Sequence, residues 1–252
     1  MLYQAHRGVA SEAPENTMSA FRLAVEQGYD VIETDPSVTK DGIFVLLHDS
    51  AINRTAANPD GSEIERETEI KSLTYEQALK YDFGVKFHAK YKGEKLPLFT
   101  DLLALAEDSG ILIKLDAKIF NFNEETLEKF FRLLEKTKAR FSFTLSDADR
   151  ALKLSERFKQ AEINYEGDLS DEILQKLKDG VYGKLNVWAP LDCAENWWCT
   201  VPFIDEKRAE YIKKYAALGV WCVHHESQFA EVERLKPDIV ETNGCLKPYK
   251  HK

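Results

Sequence analysis

Eight ionisable residues have the types and spacing of a site that moves protons beside a bound cation: His6-Arg7, Glu33 and Asp35, His48-Asp49, Asp116 and Lys118. Each group closes an otherwise apolar run. Glu33-Thr34-Asp35 has the period of a strand, which turns both carboxylates to one face. Two close carboxylates repel, and they stay ionised together at neutral pH when something cationic lies between them. Oxygen ligands suit a hard divalent ion, Mg2+ or Ca2+. Asp116, arriving from a neighbouring strand, supplies a third oxygen. The competing reading pairs these acids with Lys or Arg at a rim. His6 and His48 form a pair of acid-base groups suited to moving protons on and off oxygen in a hydrolysis. They could also be metal ligands, although His-rich sets suit transition metals better than the acids here do. Arg7 and Lys118 can each hold an anionic oxygen, and for Lys118 pairing with the acids is a serious alternative.

The elements that must position these residues follow from hydrophobic periodicity. Apolar, β-branched or aromatic runs fall at 2–6, 31–35, 44–48, 111–117, 141–145, 163–166, 185–189, 219–224 and 238–242. Helical periodicity fills 17–27, 74–81, 99–109, 124–139, 147–159, 170–179, 205–218 and 226–235. Helix starts are marked by Asn16 or Thr17, Asn123, Asp147, Ser170 and Asp205, and stops by Gly28, Gly180 and Gly219. Lys40-Asp41-Gly42 reads as a hairpin turn, making 44–48 a return arm rather than a barrel stave. Eight strand-helix units remain, so the expected fold is α/β: a single (β/α)8 TIM barrel spanning 1–252 with a small insertion at 50–100 between strands two and three. A barrel places its chemistry at the C-terminal ends of its strands, where the eight residues lie.

Composition bounds the partners. With 34 basic against 43 acidic residues the net charge is −9, which disfavours nucleic acid as a partner. Hydrophobic residues make up 44% of the 252, enough for a sizeable core, so disorder is excluded. No apolar run approaches the roughly 20 residues of a membrane span, and the N-terminus carries no secretory pattern, so a cytoplasmic protein is expected. Cys193, Cys199, Cys222 and Cys245 lack zinc-site spacing and are expected as reduced thiols, a Cys193–Cys199 bridge being the alternative. Trp188 and Trp221 are expected in the core. Trp197-Trp198 follow strand six and either line a pocket or close a loop. His224, His225 and Glu226 follow strand seven without an assigned role.

The order His6-Arg7-Gly8, Pro14-Glu15-Asn16-Thr17, Glu33-Thr34-Asp35, Thr39-Lys40-Asp41-Gly42, His48-Asp49, Leu96-Pro97-Leu98 and Asp116-Ala117-Lys118 resembles the glycerophosphodiester phosphodiesterase family. The likeness spans the chain and is most specific in its first 50 residues. It implies a metal-dependent TIM barrel hydrolysing a glycerol phosphodiester, a small-molecule substrate, to glycerol 3-phosphate and an alcohol. It further implies His6 and His48 as general acid and base, Glu33, Asp35 and Asp116 as ligands of a divalent metal ion, and Arg7 and Lys118 as phosphate-binding cations. The route it implies is attack by the neighbouring glycerol hydroxyl on phosphorus, followed by opening of a cyclic ester. Two positions depart from the family pattern: Asp116 stands where Glu is usual, and Thr242-Asn243-Gly244 where a Thr-Asp pair precedes Pro. Glu15 and Asn16 read as scaffolding.

Rival readings are a phospholipase of the D or C type acting on lysolipid, a noncatalytic barrel that binds glycerophosphodiesters, and a lyase or aldolase using Lys118 or Lys114 as a Schiff base. The sequence carries no signal for an oligomeric state.

Overall fold

The computed structural model describes residues 1–191 and 203–248. In chain order the strands are β1 (Leu2–His6), β2 (Val31–Thr34), β3 (Pro36–Val38), β4 (Phe44–Leu46), β5 (Leu112–Leu115), β6 (Phe141–Leu145), β7 (Glu162–Tyr165), β8 (Leu185–Pro190), β9 (Ala217–Val223) and β10 (Ile239–Thr242). The α-helices are α1 (Met18–Gln27), α2 (Tyr75–Ala78), α3 (Phe99–Ser109), α4 (Glu124–Leu134), α5 (Ala148–Arg157), α6 (Asp171–Gly180), α7 (Glu206–Ile212) and α8 (Phe229–Leu235). Eight parallel strands close a barrel in the order β1-β10-β9-β8-β7-β6-β5-β2, and β3 and β4 form a separate antiparallel pair, the expected hairpin.

Register carries the period-two pattern around the barrel. His6 lies opposite Glu33, Glu33 opposite Lys114, and Gln4 opposite Glu241. Ionisable residues on adjacent staves therefore share layers of the interior. On β9, Gly219 sits opposite Trp188, and a Cβ there would come within 2.2 Å of the indole. Only glycine lets the ring cross at that point. Gly219 is thus a strand residue chosen for close approach, not a helix stop.

Outside the barrel, helix starts follow local capping. Thr17 accepts from the Ala20 N–H at 3.3 Å and caps α1, while Asn123, Asp147 and Asp205 cap their helices in the same way. Gly28, in the left-handed region, ends α1. Helix α7 stops at Ile212, short of the expected 218, because Ala217 already pairs with Asn186 in the sheet. Helix propensity in Ala216-Ala217 loses to the ladder. In the same way the run 111–117 stops being a strand at Leu115: the Asp116 carboxylate accepts the Lys118 N–H at 2.8 Å and caps a 3-10 turn over Ala117–Asn121.

After the hairpin, the chain to Leu96 folds around its own apolar cluster of Val45, Leu47, Ile52, Ala56, Ile70, Ala78, Phe83 and Leu96. Its tip is tied by Asp82, whose carboxylate accepts the backbone N–H groups of Gly84, Val85 and Gly93 at 2.9, 2.9 and 2.7 Å.

Candidate active site

A cavity of about 640 Å3 opens at the C-terminal ends of the strands, lined by His6, Arg7, Glu33, Asp35, His48, Asp116 and Lys118 together with Lys114, Glu166 and Glu241 among others. The seven expected site residues converge here. Glu33, Asp35 and Asp116 each place a carboxylate oxygen so that the three atoms lie within 4.8 Å of one another.

The acids do not share one environment. Asp35 is buried, and burial alone would raise its pKa, but Lys118 and Arg7 outweigh it and hold it below the ordinary range. Lys118 Nζ donates to Asp35 Oδ1 at 3.0 Å, and Arg7 Nε lies 3.4 Å from Oδ2. Asn16 Nδ2 donates to the same Oδ2 at 2.8 Å, while its carbonyl accepts from Thr34. Asn16 is therefore part of the site, whereas Thr17 does the capping. For Glu33 the balance is reversed: burial, then Asp35, Glu241 and Asp116, push it well above the usual carboxylate value against Arg7. Its Oε2 accepts the Arg7 backbone N–H at 3.1 Å. Arg7 can deliver that N–H because it adopts φ 56°, with Gly8 following at φ 80° against α1.

A hard divalent ion fits these residues. Glu33 Oε1 and Asp116 Oδ2 carry no hydrogen bond among the described residues, and a buried carboxylate that pays for its charge is what a cation relieves. All three donors are carboxylate oxygens, the chemistry of magnesium and calcium rather than of softer metals.

Both imidazoles face this cluster. His6 Nε2 lies 3.9 Å from Glu33 Oε2, and His48 lines the same cavity close enough to Asp35 for each to shift the other's pKa, while Lys118 Nζ donates to the His48 backbone carbonyl at 3.1 Å. His6 Nδ1 meets Asn243 Oδ1 at 2.6 Å, and His48 Nδ1 meets Asp49 Oδ1 at 2.6 Å. Both partners are acceptors, so both Nδ1 atoms carry protons and each Nε2 is left as the atom that can take or give a proton. Burial lowers the His48 pKa, with Arg7 and Lys118 pushing the same way against Asp35 and Asp49. Asp49 is clamped in turn by Arg54, whose Nε donates at 2.5 Å and whose other nitrogens hold Glu15 at 2.7 and 2.8 Å. Glu15 also accepts from Arg7 Nη1 at 3.0 Å, leaving Arg7 Nη2 with no hydrogen bond among the described residues.

Beside these residues lies a network absent from the expected site. Lys114 Nζ reaches Glu166 Oε1 at 3.3 Å and Glu241 Oε2 at 3.7 Å, and it sits 3.6 Å from the centre of the Trp188 ring. Burial would lower its pKa, but these carboxylates raise it on balance. A lysine held as a cation is a poor Schiff-base nucleophile, which removes Lys114 from the lyase reading. Its signal in the sequence was a charge inside Leu-Ile-Lys-Leu, and that of Glu241 a charge inside Ile-Val-Glu-Thr. Cys222 and His224 also line the cavity. Trp188 is fully buried and Trp221 nearly so, though Trp221 also faces the cavity. Cys222 and Cys245 are free thiols. Trp197, Trp198, Cys193 and Cys199 lie outside the described residues.

The fold is a closed eight-stranded parallel barrel with a cluster of three carboxylates at its mouth, and comparison with known proteins gives its family. The model of the glycerophosphoryl diester phosphodiesterase family matches residues 6–220. The chain belongs to that family. A glycerophosphodiester phosphodiesterase of Caldanaerobacter subterraneus subsp. tengcongensis is 39% identical over 114 residues, 45% of this chain and 44% of that protein. Glycerophosphodiester phosphodiesterase 1 of Homo sapiens is 34% identical over 116 residues, 45% of this chain and 33% of the relative. The matched stretch thus spans less than half of these relatives' own length. Among solved structures, an Oleispira antarctica phosphodiesterase in complex with sn-glycerol-3-phosphate superposes with a TM-score of 0.73 at 18% identity, covering 97% of this chain and 93% of that one. The Thermotoga maritima glycerophosphodiester phosphodiesterase gives 0.64 at 21% identity, covering 97% and 95%. At these identities the likeness is one of fold. Among the described residues no helix is long and apolar enough to cross a membrane.

Proposed function

We propose that this chain hydrolyses glycerophosphodiesters to glycerol 3-phosphate and an alcohol, working as one unit over 1–252 with 50–100 as an insertion that buttresses the site. The observation that carries this reading is the convergence of two Nε2-open imidazoles on three carboxylates at one barrel mouth. Family membership and the superposed product complex of the Oleispira antarctica protein support it.

In this reading Glu33, Asp35 and Asp116 would hold a divalent ion, Mg2+ or Ca2+, which when bound would supply positive charge beside the phosphate. Arg7, through Nη2, and Lys118 hold the phosphate from the other side and stabilise negative charge as it develops. His48, with its lowered pKa, is the base: its Nε2 takes the proton of the attacking glycerol hydroxyl. His6, as the imidazolium with a proton on Nε2, gives that proton to the leaving alcohol oxygen; water then opens the cyclic glycerol phosphate, His6 Nε2 taking the water's proton and His48 returning its proton to the glycerol oxygen, which yields glycerol 3-phosphate. Asp49 and Asn243 hold the two rings at Nδ1, which leaves Nε2 as the proton-exchanging atom of each.

The test is single substitution of each imidazole. His6→Ala and His48→Ala should each lower kcat on glycerophosphocholine by roughly 10²- to 10⁴-fold while leaving fold and magnesium binding intact. Wild-type turnover in either variant would refute the assignment. Running lysophosphatidylcholine in parallel separates soluble diesters from lysolipid as the preferred class.

A further inference from the structure

We propose a second metal site, distinct from the carboxylate trio: His6, Cys222 and Glu241 form a pocket for a thiophilic transition metal such as Zn2+, and its occupation blocks the site by capturing His6. The binding claim stands on geometry alone; the inhibition claim rests on the proposed role of His6.

One ring nitrogen of His6, Cys222 Sγ and a Glu241 carboxylate oxygen all lie within 4.8 Å of one another. Topology explains why. β1, β10 and β9 are adjacent staves, and a register irregularity between Val240 and Thr242 sets Thr242 opposite Val223, bringing Cys222 beside the Glu241 layer. Cys222 and Glu241 are buried, while His6 is half-buried at the mouth. Gln4 and Lys114 both approach Glu241 Oε2, leaving Oε1 without a hydrogen bond among the described residues. The sulfur's own contacts are long: 3.7 Å to Asn243 Oδ1 and 3.9 Å to the Val223 carbonyl. Both groups can therefore turn to an ion without breaking a strong bond.

The donor set decides the metal. Sulfur and imidazole select zinc, cobalt or copper(I) and are poor ligands for magnesium. Tetrahedral zinc bonds of about 2.0–2.3 Å place ligand atoms roughly 3.3–3.7 Å apart, a small contraction from the observed spread. Three protein ligands leave a fourth position for water, and the thiol proton is released to solvent on binding.

Cobalt(II) reports the sulfur bond directly, through a thiolate-to-cobalt charge-transfer band in the near ultraviolet. Titration into the full chain, with magnesium in large excess to fill the carboxylate site, should give this band with one equivalent. Cys222→Ser should abolish it, Glu241→Gln should weaken cobalt affinity by about tenfold or more, and Cys193→Ser, Cys199→Ser and Cys245→Ser should retain it. No band in the wild type, or a band that survives in Cys222→Ser, overturns the site. Should Cys222→Ser misfold, Glu241→Gln with unchanged affinity overturns it equally. In the diester assay, the zinc concentration that halves each protein's own rate should rise at least about tenfold in Cys222→Ser. Cobalt binding without zinc inhibition would overturn the blocking claim and leave the metal site standing. A wild type inactive on every diester would count against the proposed function and leave the cobalt result untouched.

Discussion

Glu33 and Asp35 sit two residues apart and acquire opposite acidities, because Lys118 and Asn16 bond Asp35 and Arg7 adds to them, whereas for Glu33 burial and three neighbouring acids outweigh Arg7. For Glu33 the folded protein favours the protonated form. Its contribution to stability is present below the ordinary carboxyl value of 4.5 and is lost as pH rises towards the raised one. At neutral pH its charge is a cost that a divalent ion removes. Glu33→Gln should therefore raise the melting temperature in chelator, by roughly 2–4 °C for about 1 kcal/mol, and should abolish the further rise that magnesium gives the wild type. Thermal unfolding with and without magnesium checks both; a variant less stable than wild type in chelator would contradict the account. Asn243 carries another residue-scale lesson. It stands where the family pattern has an acid, and its amide oxygen holds His6 while its amide nitrogen meets His224 Nδ1 at 2.9 Å. A pattern that names residue types cannot show which ring an amide will orient.

At the scale of elements, the insertion reaches the chemistry through one side chain. Arg54 bridges Asp49 and Glu15, so the chain after the hairpin steadies both His48 and Arg7. The clamp holds the Asp49 carboxyl at about 2, against burial that would raise it. Removing Arg54 leaves an unneutralised carboxylate on His48, which favours the imidazolium. Arg54→Met should lower kcat by about 10- to 100-fold, leave KM nearly unchanged and move the acid limb of the pH profile upwards, with partial rescue by Arg54→Lys. A uniform loss with an unmoved pH profile would mark Arg54 as merely structural. The elements themselves were largely legible: apolar period fixed the barrel strands, Lys40-Asp41-Gly42 the hairpin, and side-chain caps most helix starts. Legibility failed where sheet pairing overrode local propensity, as at Ala217, and where a side chain ended a strand early, as at Asp116. It failed again where a glycine's neighbour across the sheet, Trp188 against Gly219, could not be seen along the chain.

For the whole molecule, a net charge of −9 sits awkwardly with an anionic substrate until the cavity is considered alone. Its lining sets five carboxylates against three cations, a deficit of two charges that one divalent ion closes. Under the proposed function a loaded mouth balances its carboxylates against Lys, Arg and the ion before the histidines are counted, and a phosphodiester would meet Arg7 and Lys118 rather than bare acid. The acid cluster is readable from spacing; the Lys114, Glu166 and Glu241 network beside it is not, because its charges come from β5, from just past β7 and from β10 and gain meaning only in the closed barrel. The most direct measurement is metal reconstitution: strip the protein with chelator, restore magnesium, calcium or manganese separately, and follow glycerol phosphate release from a panel of diesters. Release should vanish in chelator, return with at least one ion in the wild type, and stay absent in Glu33→Gln. Turnover indifferent to chelator, or no release with any ion, would contradict the account.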